Sequence, residues 1–158
     1  MGRVGVVAAL AFAAIAQCAP VRADPFESYN PDLIGGCVAA AGTDEAALRA
    51  CYGAGASPCI AADGSTTNSY ILCWSHEAGT WRELIQRAMT ERNARYSYRD
   101  PQRLAAADAA WEAWAEAECE YWAWEEGGGV GEIVDRAECR ARVNADRAIA
   151  LIRAADER

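Results

Sequence analysis

The sequence predicts an all-α fold, one small disulfide-braced bundle of about three to four helices. Three observations carry that expectation. No stretch sustains apolar–polar alternation with β-branched residues, so no strand is expected. Long stretches instead place apolar residues at spacings of three, four and seven, the repeat of one helix face. Of seven cysteines, all but Cys18 follow an apolar leader, and an even number in an exported chain reads as a disulfide framework.

The leader is residues 1–23. Arg3 gives a basic start, Val4 to Ile15 an apolar run, and Val21-Arg22-Ala23 small residues at the −3 and −1 positions of a cleavage site. This pattern is that of a secretory signal peptide, too short and too weakly flanked for a membrane anchor. Cleavage before Asp24 is preferred over lipidation at Cys18, because Gln17 stands where a lipoprotein box wants a small residue. The remaining 24–158 is read as a single domain, periplasmic or secreted, with no membrane span.

Along that domain, Asp24 to Gly36 holds Pro25, Pro31, Gly35 and Gly36 and reads as an irregular lead-in. Thr43-Asp44-Glu45 starts a helix that runs through Cys51, with Gly53 and Gly55 ending it. Residues 54–68 are rich in turn formers and read as a loop with room for one helical turn. From about Thr67, the recurrence of Tyr70, Cys73, Trp74, Trp81, Leu84, Ile85 and Met89 predicts a long helix fading near Tyr98, before the Asp100-Pro101 boundary. Pro101 suits the first turn of the next helix, expected to reach Glu126. The last helix should span Gly131 or Glu132 to Ala155.

Six cysteines admit fifteen connectivities. Spacing suggests Cys37–Cys51, Cys59–Cys73 and Cys119–Cys139, three local loops each worth about 3 kcal/mol in the chain-entropy picture.

On a helical wheel, Leu104, Ala107, Trp111, Trp114, Tyr121 and Trp122 share one side of the Pro101–Glu126 helix, with Cys119 at the edge. Glu118 falls in the middle of that stripe and needs a partner, since an unpaired buried charge is costly. The inner face expected for the last helix, Val143, Ala150, Leu151 and Ala154, includes Arg147, so a structural Glu118–Arg147 ion pair is predicted. Trp124 lies away from the stripe, beside Glu125, Glu126 and Gly127-Gly128-Gly129. Trp124 to Gly129 is therefore the candidate partner-binding rim, against the plainer reading that Trp124 packs under the glycine loop or against the N-terminal segment.

The run Leu104…Trp111-x-x-Trp114-x-x-Ala117-Glu118-Cys119, the glycine loop, Cys139 and Arg147-x-x-x-Leu151 resembles the lysozyme inhibitor LprI-like N-terminal domain family. Upstream, Cys51-Tyr52-Gly53-Ala54, Cys59, Cys73, Glu77 and Trp81-x-x-Leu84 resemble an extended, cysteine-richer form of it. The resemblance implies a small exported helical domain, with inhibition of lysozyme in one branch. The sequence departs from the family pattern at Arg82, Ile85, Ala115 and Asn144.

Catalytic chemistry finds no motif. His76, the one histidine, stands beside Glu77 and three residues after Cys73, but a metal or catalytic site would need further ligands or a nucleophile and the cysteines are better used in disulfides. It is expected to face solvent and lacks the second cysteine of a haem-attachment box. Glu125 and Glu126 are adjacent and point apart on a helix, unlike the carboxylates of a glycosidase. The glycine run lacks the Lys and Ser/Thr of a phosphate loop. No enzyme activity, cofactor or metal is expected.

Removing residues 1–23 takes away Arg3 and Arg22 from 15 basic residues and none of the 23 acidic ones, so the formal charge moves from −8 to −10, with no lysine anywhere. That argues against nucleic acid or an anionic membrane surface as the partner and mildly favours a cationic one, against the plainer reading that the charge serves only solubility. The sequence thus supports an exported binding protein for a basic partner such as a lysozyme-type muramidase. The alternative is a structural or envelope-maintenance protein with another partner.

Overall fold

The computed structural model describes residues 28–95, 101–125 and 129–156. The leader, its cleavage site, Cys18 and the expected helix end at Tyr98 lie outside the described residues. All described regular structure is helical: α1 Asp32–Ala41, α2 Glu45–Arg49, α3 Ala56–Ala62, α4 Thr67–Arg95, α5 Pro101–Glu125 and α6 Val130–Asp156. Six helices replace the expected three to four. The three long ones fall where the periodicity placed them; the difference lies in the short ones.

Asp32–Ala41 is helical where a lead-in was expected, despite Gly35 and Gly36 in its interior. Asn30 Oδ1 accepts from the Asp32 amide at 3.0 Å, and Cys37 is bonded to Cys51. Tertiary anchoring of Ile34, which is fully buried, outweighs the glycine penalty. Asp44 caps α2 as expected, accepting from the Ala47 amide at 2.7 Å, but the helix stops at Arg49, before Cys51. Residues 54–68, read as a loop, contain α3, held on α4 by Cys59–Cys73. Thr66 and Ser69 then cap α4 reciprocally: the Ser69 amide donates to Thr66 Oγ1 at 3.1 Å and the Thr66 amide to Ser69 Oγ at 3.0 Å.

α4, α5 and α6 form an up-down-up core. Asn144 Nδ2 donates to the Ala78 carbonyl at 2.8 Å and Arg95 to the Ala155 carbonyl at 2.9 Å, which sets α6 parallel to α4. Cys119–Cys139 and Arg140–Glu116 set α5 antiparallel to α6. The α4–α6 interface is the most extensive in the molecule and rests on small residues of α6, Ala141, Ala145 and Ala148, which are buried. Around it, Ile34, Leu48, Trp81, Ile85 and Met89 make the main core, and Ala56, Ile60 and Trp74 a second one under α3.

The face of α5 differs from the wheel. Ala115, Cys119 and Ala123, one turn apart, are fully buried against α6, whereas Trp114, Tyr121 and Trp122 are exposed. The buried arc is turned by roughly a quarter of a revolution from the one that side-chain size suggested. Small residues let the two backbones approach closely enough for the disulfide, and Cys139 and Val143 fill the remaining space. On α6, Val143 and Leu151 face inward as expected, while Ala150 is exposed.

Candidate partner-binding surface

The scaffold beneath the surface is fixed by a buried carboxylate. Glu77 on α4 is fully buried, and its oxygens accept from the amides of Gly53 (2.6 Å), Gly55 (3.2 Å) and Ala56 (2.7 Å) and from the Trp81 indole (3.2 Å). The acceptor sits where α3 begins, satisfying amides that a helix start leaves open. Gly53 adopts φ +82°, a left-handed conformation that puts its N–H in the cradle. A side chain at Gly55 would meet the Tyr29 ring at 2.8 Å. Tyr29 Oη shares a 2.7 Å hydrogen bond with Thr80 Oγ1, and its ring stacks on His76 at 5.3 Å. His76 is therefore partly covered, not the freely solvated histidine expected. Burial pushes the Tyr29 phenol up to about 12, with the Glu77 and Glu83 charges adding to that shift and the Thr80 bond opposing it. Burial and then the Glu138 carboxylate raise the Tyr52 phenol as well.

A second network seats α5. Arg82 grips Asp108 through two bonds of 3.1 and 2.9 Å and Glu112 at 2.6 Å, while its guanidinium lies 5.9 Å from the Trp111 ring centre. The Asp108 hydrogen bonds lead the upward shift of the Arg82 pKa. Three positions that depart from the family pattern thus have structural uses here: Arg82 ties α4 to α5, Ala115 lines the α5–α6 contact, and Asn144 bonds across to α4.

The predicted Glu118–Arg147 ion pair does not form. Glu118 Oε1 accepts from its own helix, from the Trp122 indole at 2.8 Å. Arg147 instead lies 5.8 Å from the Trp111 ring centre, and its Nε has no hydrogen-bond partner among the described residues. Because α5 is rotated, Glu118 sits at the edge of the interface, half-buried, and needs no cation across it.

The predicted disulfides Cys37–Cys51, Cys59–Cys73 and Cys119–Cys139 are all present. Cys59 and Cys73 lie with Asp63 in a cluster of metal-ligand type. Their sulfurs are bonded to each other, so they offer no thiolate, and Asp63 Oδ1 accepts from Ser28 at 2.8 Å.

Of the rim, Trp124 is 79% exposed at the end of α5. Glu125 closes the helix, Gly129 takes φ +90° ahead of α6, and the Glu125 side chain and Glu126, Gly127 and Gly128 lie outside the described residues. Sequence reasoning missed the neighbouring aromatics. Trp114 (51%), Tyr121 (57%) and Trp122 (47%) are exposed along α5, and Tyr121 meets Trp122 edge-on at 5.5 Å. Beside Trp122, an open groove of about 250 Å³ is lined by Asp135, Glu138, Cys139 and Arg142 of α6. The signal that could have found them is Cys119 itself: a cysteine bonded to the next helix must face it, and that fixes which arc of α5 is left outside.

No helix of the described residues is long and apolar enough to cross a membrane. A family model described as Lysozyme inhibitor LprI matches residues 59–151. Neither a curated protein nor a solved structure matches the chain.

Proposed function

The chain belongs to the lysozyme inhibitor LprI family, and from that premise we propose that it is an exported, non-enzymatic binding protein that blocks a basic, lysozyme-type muramidase. The observation that carries this reading is Trp124, 79% exposed at the tip of a disulfide-braced helical hairpin whose rim also contains Glu125 and Glu126. A large aromatic on a rigid support is the usual anchor of a protein interface, and the acidic stretch of sequence it belongs to suits a cationic partner. Export is supported by the leader pattern of residues 1–23 and by three disulfides, which persist in oxidising compartments.

Calorimetric titration of the exported, oxidised chain against a basic lysozyme, paired with a muramidase assay, tests the proposal. The expected result is a complex at low ionic strength that weakens as salt is added and suppresses turnover. Trp124→Ala should weaken it about tenfold or more. Absence of binding at low ionic strength would remove the proposal.

A further inference from the structure

Charge and apolar exposure coincide at one end of this molecule. Residues 114–138 contain eight carboxylates and a single basic residue, Arg136, so this segment carries net −7 of the formal −10 left once residues 1–23 are removed. Among the described residues, six of the eight large apolar side chains that stand exposed fall in the same stretch: Trp114, Tyr121, Trp122, Trp124, Val130 and Ile133. A face only solubilised by its charge would not also hold the exposed aromatics, and a plain apolar patch would not concentrate the carboxylates.

We propose that the end of the α5–α6 hairpin, from Trp114 to Glu138, is a docking surface for the arginine- and lysine-rich face of a protein partner. The outward aromatic face of α5 is its centre, and Val130 to Glu138 at the start of α6 forms one margin. This rests on the binding-protein reading above and specifies which surface does the binding. Three features suit it to cations. Trp122 is held in place by its bond to Glu118, which presents the indole already oriented beside a carboxylate. The groove next to it combines that indole with Asp135 and Glu138, with Arg142 at its border; a guanidinium can lie on the ring while bonding a carboxylate. The two helices are locked by Cys119–Cys139 and by Arg140–Glu116 at 3.1 Å, so little freedom is lost on docking.

The test is a titration of the exported, oxidised chain with hexa-arginine at low ionic strength, followed by the indole N–H resonances, beside the lysozyme titration. The resonances of Trp114, Trp122 and Trp124 should move together while those of buried Trp74 and Trp81 hold still. A Glu118→Gln, Glu120→Gln double variant should bind lysozyme about three- to tenfold more weakly with unchanged thermal unfolding. Unresponsive indoles on α5 would overturn the surface, and so would a double variant that folds normally and binds as the parent does. Lysozyme binding that survives the double change leaves the functional reading standing and removes the surface. A hexa-arginine response without lysozyme binding does the opposite.

Discussion

Glu77 shows how much can hang on one side chain. Its carboxylate replaces water for three backbone amides and one indole, and so joins the Gly53–Ala56 loop to the middle of α4. Glu77→Ala leaves those donors buried without an acceptor and should lower stability by about 3 kcal/mol or more. Urea unfolding checks this: the midpoint should fall, and a parental midpoint would mean that the cradle is not stabilising. Tyr29 provides a pH prediction at the same scale. Its phenol titrates near the ordinary 10.0 when unfolded and is raised to about 12 when folded, so folding favours the neutral form. The stability this contributes is complete below pH 10 and is lost as pH rises from 10 through 12, with Tyr52 acting in the same direction. Thermal unfolding followed across that window should show a decline that Tyr29→Phe reduces; an identical decline in the variant would assign it elsewhere. Neither role is legible along the chain. Glu77 meets amides more than twenty residues upstream, and backbone donors leave no mark in a sequence.

Among the elements, α5 was the hardest to orient. A wheel weighted by side-chain size turns the indoles inward, whereas close packing against α6 selects small residues, Ala115 and Cys119, with Ala123 buried on the same arc. The short helices were obscured for a related reason: α1 and α3 are too brief and too rich in glycine or proline to stand alone, and disulfides and core contacts hold them. The long helices and all three cysteine pairs were legible, because periodicity and loop length are local properties. If Cys119–Cys139 braces the hairpin, replacing both cysteines by serine should cost about 3 kcal/mol. Amide exchange should then accelerate across Ala115–Ala123 but not in the centre of α4. Equal acceleration in both helices would show that the bridge supports the whole bundle and not the hairpin alone.

At the scale of the whole molecule, the chain separates two tasks. The half built by α1 to α4 is stitched by two disulfides, the Glu77 cradle and the larger core, and the distal part of the hairpin carries most of the net charge and most of the exposed aromatic surface. Separating them lets the surface be acidic and apolar without burying unpaired charge: Glu116 meets Arg140, Glu132 meets Arg136, and Glu118 accepts from the Trp122 indole. By itself the sequence determined the helical class, the three long helices, the family and the acidic balance, and it suggested the cysteine pairs without choosing among the fifteen connectivities. All of these depend on composition and on spacing within a few turns. Only the tertiary structure decided that Glu77 is a buried hub, that Glu118 and Arg147 do not pair, and that three indoles and a phenol of α5 face outward. Those outcomes depend on how closely two helices approach and on the rotation that approach imposes, and neither quantity is carried by any one segment.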